Sequence, residues 1–290
     1  MSPRHIHVQS ADGLTLYAAD HGPKDSPLAP IICLPGLTRN SRDFEPLIAE
    51  LQNTRRILAL DLRGRGRSQY APDPTTYTAA TEAADTLTML DAAGITRAIF
   101  IGTSRGGIVS LILHALKPQL IKGLALNDIG PALDAQGLKR IRAYLGIPVP
   151  LPDWNAAANL LKSTHPGFAD LSENDWLTFA RRVFRDDNGK PTADYDAAIA
   201  TTFPTLEDID AGKVPQLWEL YQALGPDLPV AVLRGETSDL LSAATVARMQ
   251  QLTPQLIAVT VKGRGHVPFL DEPESLRAIH ALLAEADQKP

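Results

Sequence analysis

The sequence predicts an α/β protein: one mostly parallel, eight-stranded sheet flanked by helices, with a helical insertion late in the chain. Three observations predict it. Short β-branched runs alternate with amphipathic stretches, the pattern of a parallel sheet covered on both faces. The alternation breaks once, over Pro131–Pro226, and then resumes. A Gly-x-Ser-x-Gly pentapeptide, Gly102-Thr103-Ser104-Arg105-Gly106, sits at the joint between an apolar run and the helix after it.

The elements follow in order. His5–Gln9 and Leu14–Asp20 flank Ala11-Asp12-Gly13, and an Asp-Gly pair between such runs signals a hairpin. His5 and His7 share a face of the first strand by its period of two. Metal binding there is conceivable, but no further ligand cluster lies nearby, and a plain strand surface is the simpler reading. Ile31–Leu34 is the third strand. Phe44–Leu51 reads as a helix because Phe44, Leu47, Ile48 and Leu51 recur at helical spacing. Arg56–Leu60 is the next strand, Ala79–Ala93 a helix, Ala98–Ile101 a strand and Gly106–Leu116 a helix stopped by Pro118. Ile121–Leu126 is the sixth strand. After the break come Pro229–Arg234, helix Ala243–Leu252, strand Leu256–Val261 and helix Pro273–Ala286.

Residues 1–130 and 227–290 are therefore expected to form one core, with residues 131–226 a helical cap inserted between strands six and seven. Pro148, Pro150, Pro152, Pro166, Pro191, Pro204 and Pro215 punctuate that cap, which holds all three tryptophans. Its aromatic side chains fit two roles, an apolar pocket for substrate or a small core of the cap's own.

Composition narrows the function. Hydrophobic residues are 44% and charged residues 21%, the balance of a globular protein. A formal net charge of -5 without a basic stripe gives no attraction to nucleic acid. No apolar stretch approaches the roughly 20 residues needed to span a bilayer, so no membrane partner is expected. The single Cys33 lies in an apolar run and cannot form an internal disulfide. The first ten residues contain no apolar segment of a secretory signal. A cytoplasmic enzyme with a small-molecule substrate is the expectation.

The pentapeptide by itself is a weak signal, and its placement is what makes it specific. A sharp strand-to-helix turn lifts a Ser104 hydroxyl clear of the sheet, and the helix behind it offers free N–H groups to a developing oxyanion. A neutral serine needs a base. His266, in Gly263-Arg264-Gly265-His266-Val267-Pro268, follows the last apolar run, where a loop presents it over the sheet edge. His114 and His280 lie within helices and His165 within the insertion, so each is a poorer candidate. The base in turn needs an acid. Asp239 and Asp128 each follow a parallel strand. Asp239 is preferred, because it gives the order Ser, Asp, His with acid and base on successive loops; Asp128 is the alternative. Asp271 is expected to cap the final helix. The oxyanion donors expected are the backbone N–H groups of Arg105 and Leu37, the latter in Leu34-Pro35-Gly36-Leu37.

Together these residues resemble the α/β-hydrolase family, from about Ile31 onward. Leu34-Pro35-Gly36-Leu37 stands where many members carry His-Gly-x, and Asp61-Leu62-Arg63-Gly64-Arg65-Gly66-Arg67-Ser68 matches the turn after the fourth strand. That resemblance makes the arginine cluster a structural loop. It also makes Ser104 the nucleophile, Asp239 the acid after the seventh strand, His266 the base and Pro131–Pro226 the cap. It implies acyl transfer with no metal or organic cofactor, on a substrate with an apolar portion. Carboxylic ester or lactone hydrolysis comes first. Cleavage of a carbon–carbon bond in a vinylogous diketone, perhydrolysis or acyl transfer use the same triad, and a ligand-binding protein on the same scaffold is the non-enzymatic alternative. Serine at the nucleophile counts against haloalkane dehalogenases and epoxide hydrolases, which need an aspartyl ester. Arg39 follows the oxyanion turn, where it meets a substrate carboxylate or ties the loop to the scaffold.

Overall fold

A computed structural model describes residues 2–165, 167–168 and 170–289. The turn expected at Pro166 lies outside the described residues. The first half of the chain runs β1 (Arg4–Gln9), β2 (Thr15–His21), β3 (Ile31–Leu34), α1 (Glu45–Leu51), β4 (Ile57–Asp61) and α2 (Ala79–Ala93). It continues through β5 (Ala98–Thr103), α3 (Arg105–Leu116) and β6 (Ile121–Asn127). Then come α4 (Ala135–Tyr144), α5 (Trp154–Thr164), α6 (Glu173–Val183), β7 (Phe184–Asp187), β8 (Lys190–Ala193), α7 (Leu206–Asp210) and α8 (Trp218–Gln222). The chain closes with β9 (Val230–Gly235), α9 (Ala243–Leu252), β10 (Ile257–Val261) and α10 (Pro273–Gln288).

Eight strands make one sheet in the order β1-β2-β4-β3-β5-β6-β9-β10. Only the pairings of β2 with β1 and β4 are antiparallel; the rest are parallel. The apolar runs are continuous because both faces are buried. On one face Ile32, Leu34, Phe100 and Leu124 pack on α2 and α3. On the other, Ile31, Cys33, Ile99 and Ile101 pack on α1 and α10. Fully burying side chains of this size contributes about 1.5–3 kcal/mol each, so this two-faced core dominates stability. Cys33 is fully buried, and burial pushes its thiol pKa up.

Between β6 and β9 the structure departs from the helical insertion expected above. The segment is not wholly helical: β7 and β8 form an antiparallel hairpin with Asp187 opposite Lys190. Its turn is Asn188-Gly189, both at positive φ (52° and 86°). Asn-Gly is the pair a two-residue hairpin turn demands, so the cue was present in the sequence. A second difference concerns the last helix. Its N-cap is Glu272, not Asp271. The Glu272 carboxylate turns back to accept from Phe269 N, Leu270 N and Ser275 Oγ.

His5 and His7 do sit on one strand facing Tyr17. His5 Nδ1 lies 2.8 Å from the Tyr17 hydroxyl, and Arg67 covers the same ring. The pair is thus part of a ring stack on the sheet. Among the described residues no helix is long and apolar enough to cross a membrane.

Candidate active site

The site is built at the carboxyl ends of the parallel strands. β5 ends at Thr103 and α3 begins at Arg105, so Ser104 alone makes the turn, with φ 48° and ψ −111°. Such a conformation costs a non-glycine residue about 1–3 kcal/mol and persists only where the surroundings impose it. The flanking glycines show what imposes it. A Cβ on Gly106 would lie 2.0 Å from the Leu34 carbonyl oxygen, and one on Gly102 would lie 2.6 Å from the Gly106 backbone. The close approach of β3, β5 and α3 therefore requires both glycines, and it sets the serine above the sheet.

Ser104 Oγ lies 3.0 Å from His266 Nε2, and His266 Nδ1 lies 2.7 Å from Asp128 Oδ2. The acid at the imidazole is thus Asp128, and the expectation of Asp239 is corrected. The reason is local. Asp128 leaves β6 at positive φ (50°), fully buried, with its carboxylate aimed at the neighbouring β9 turn. There Gly235 N–H donates to Oδ1 at 2.8 Å and Ser238 Oγ–H donates to Oδ2 at 2.6 Å. The loop after β9 supplies the anchors for the acid, not the acid itself. One residue on, Asp239 turns to α4, where Arg140 Nε and Nη2 donate to its carboxylate at 2.5 and 2.8 Å. Burial works to raise the Asp239 pKa, but the Arg140 bonds and charge outweigh it and hold the carboxyl below its ordinary value.

A cleft of about 300 Å³ opens beside His266. Gln136, Arg140, His165 and Phe168 line it from the insertion, and Thr237 and Asp239 from the sheet side. Most of the insertion's aromatic rings do not line it. Trp176, Phe179 and Phe184 pack with Phe168 and Phe269 in an apolar cluster that meets the cleft at Phe168. Most of these rings therefore fill the second role, a small apolar core, while Phe168 reaches into the cleft as well.

A family model described as the alpha/beta hydrolase family matches residues 31–279. The chain belongs to the alpha/beta hydrolase family. Similar to this hydrolase is the 3-hydroxybutyrate-oligomer hydrolase of Cupriavidus necator, 30% identical over 283 residues, covering 95% of this chain and 96% of the relative. The 2-(acetamidomethylene)succinate hydrolase of Mesorhizobium japonicum is 30% identical over 257 residues, 84% of either chain. Among solved structures, an alpha/beta hydrolase from Novosphingobium aromaticivorans superposes with a TM-score of 0.89 at 39% identity, covering 98% of this chain and 99% of that one. Relatives named hydrolases and esterases make this chain a hydrolytic enzyme, which sets aside the non-enzymatic alternative.

In this hydrolase the arginine-rich turn after β4 is scaffold. Arg63 is buried and bonds both Asp85 and Asp12. Arg65, also buried, donates from Nε to the Leu37 carbonyl oxygen at 2.8 Å and makes an ion-pair contact with Glu82 at 2.7 Å. Glu82 accepts from Arg105 Nε at 2.6 Å. One buried carboxylate is thereby shared by the residue after the serine and the residue that grips Leu37. Burial works to raise the Glu82 pKa, yet the two guanidinium groups outweigh it and hold the carboxyl below its usual value. A Cβ on Gly36 would lie 3.9 Å from that of Ser104, so the Leu37 turn stands beside the nucleophile position.

Arg39 pairs with Asp43 and lies over the Phe179 ring, 4.7 Å from its centroid. Those contacts favour the scaffold role over the substrate-carboxylate role. Arg39→Ala is accordingly expected to lower kcat/KM by the same factor on neutral and carboxylate-bearing esters. A selective loss on the charged series, in parallel initial-rate measurements, would restore the substrate-contact role.

Proposed function

We propose that this hydrolase cleaves a carboxylic ester of a small carboxylate-bearing molecule, such as an ester between short hydroxy acids, through an acyl-enzyme on Ser104. The observation that carries the chemistry is the unbroken line from Ser104 Oγ through the two nitrogens of His266 to Asp128. Asp128 fixes the proton on Nδ1, which leaves Nε2 as a lone pair facing the serine hydroxyl. Ser104 attacks the carbonyl carbon as Nε2 takes its proton. The backbone N–H groups of Leu37 and Arg105 hold the oxyanion. His266 then protonates the departing alkoxide oxygen, and the carbon–oxygen bond breaks. Water adds to the acyl-enzyme by the same steps in reverse and releases the acid. Residues 131–226 act as a cap, since they supply one wall of the cleft beside His266.

The substrate class draws on the relatives. The names 3-hydroxybutyrate oligomer and acetamidomethylene succinate both denote carboxylates. A panel tests the reading: p-nitrophenyl esters of short acids, the linear dimer of 3-hydroxybutyrate, lactones and a vinylogous diketone, each with Ser104→Ala as control. Hydrolysis of the esters and the dimer, lost in the control, is the expected result. Turnover confined to the diketone would replace it with carbon–carbon bond cleavage, and preferential transfer to peroxide or alcohol would replace it with perhydrolysis or acyl transfer.

A further inference from the structure

The cleft beside His266 holds a second imidazole that the acyl-transfer chemistry does not use. His165 follows α5, and its ring stands edge-on to Phe168 and Phe179, with centroids 5.6 and 5.5 Å away. That packing fixes the ring plane. Its Nδ1 lies 2.9 Å from the Leu161 carbonyl oxygen. A carbonyl only accepts, so Nδ1 carries the proton. Burial, then the charges of Arg39 and Arg140, push the ring's pKa down to about 3. A neutral ring with its proton on Nδ1 leaves Nε2 with a lone pair and no hydrogen. Among the described residues Nε2 has no hydrogen-bond partner, and the residue lines the cleft.

The structure assigns His165 Nε2 as a hydrogen-bond acceptor for a hydroxyl or N–H group of the substrate. The assignment rests on the serine hydrolase reading for the reaction and adds a requirement on the substrate. A group that presents only lone pairs, such as a carboxylate or an ether oxygen, meets a lone pair there and is disfavoured. A hydroxyl or amide N–H is accepted, and a site built to pair such a donor discriminates strongly against the analogue that lacks it. His165 is therefore a specificity-determining residue and not a second base.

Two substrate pairs test this. On the acyl side they are p-nitrophenyl 3-hydroxybutanoate and its 3-methoxy analogue; on the alcohol side, 3-hydroxypropyl and 3-methoxypropyl butanoate. The parent enzyme is expected to favour the hydroxyl member of at least one pair by roughly tenfold or more in kcat/KM. His165→Phe, which keeps a ring and removes the acceptor, is expected to erase that preference, the hydroxyl member of the pair falling to the rate of its methoxy partner. Equal rates within both pairs, or a preference that survives in His165→Phe, would overturn the assignment. Should the variant not fold, the ¹⁵N shift of the unprotonated His165 nitrogen in the parent protein serves instead. It should move upfield with a hydroxyl-bearing product and stay put with the methoxy one, and no difference between the two would overturn the assignment. Ser104→Ala separates the two readings. Turnover that survives in it sinks the serine mechanism, whereas equal rates within both pairs in the parent enzyme, with Ser104 still required, sink only the role of His165.

Discussion

Asp128→Asn is expected to lower kcat about ten-thousand-fold with little change in KM. The hydrogen bonds around the carboxylate say why. Gly235 N–H is a fixed donor at Oδ1, so an asparagine must place its oxygen there and its NH2 where Oδ2 was. That NH2 faces His266 Nδ1, which can then bond only by giving up its proton. The proton moves to Nε2, and the ring meets Ser104 as a donor where a base is needed. Asp239→Asn touches a different balance. It weakens the pair with Arg140 at the cleft wall and is expected to cost less than about tenfold, a loss of substrate binding and not of base function. Steady-state kinetics of the two variants side by side decides between the carboxylates. A larger kcat loss for Asp239→Asn than for Asp128→Asn would reverse the assignment.

Glu82→Gln is expected to have the next largest effect, on stability and rate together. Glu82, Arg65 and Arg105 bring two guanidinium groups onto one fully buried carboxylate. Removing its charge leaves the buried Arg65 cation uncompensated, at a cost of about 3 kcal/mol. The same change loosens both proposed oxyanion donors, since Arg65 holds the Leu37 carbonyl and Arg105 is itself a donor. Losing one such donor outright lowers kcat by about 100- to 1,000-fold, so a displaced pair should lower it by roughly 10- to 100-fold. Acidity adds a separate signature. The native carboxyl titrates below its ordinary 4.5, so the unfolded chain takes up that proton first as pH falls. Its contribution is whole above about pH 4.5 and is lost progressively below, and the variant should lack that part of the acid slope. Urea melts across pH with kcat measured on the folded variant check both halves. An unchanged kcat would detach the buried network from catalysis.

The sheet was legible because parallel strands buried on both faces have to be apolar throughout, and each connecting helix has to be amphipathic. The placement of Ser104 and His266 at the sheet edge was legible for a related reason. Gly102 and Gly106 are demanded by contacts of 2.6 Å and less, which leave a mark in the sequence, and the strand before each loop fixes where the loop opens. The acid was not legible in the same way. Asp128 and Asp239 both follow parallel strands, and what separates them is the direction of a side chain, set by Gly235 N–H, Ser238 and Arg140 across the fold. Arg140 and His165 were missed as cleft residues because they sit on the insertion, whose placement over the sheet depends on contacts far apart in the chain. The β7–β8 hairpin is a different case. Asn188-Gly189 announced it, but the proline-punctuated helical pattern around it drew the reading.

Reaction with a fluorophosphonate followed by peptide mapping asks whether Ser104 is the nucleophile. One adduct per chain is expected, on the peptide carrying Ser104, with ester hydrolysis falling in step with labelling. Hydrolysis that continues when Ser104 is fully modified, or an inactivating adduct on another residue, would rule out a Ser104 nucleophile.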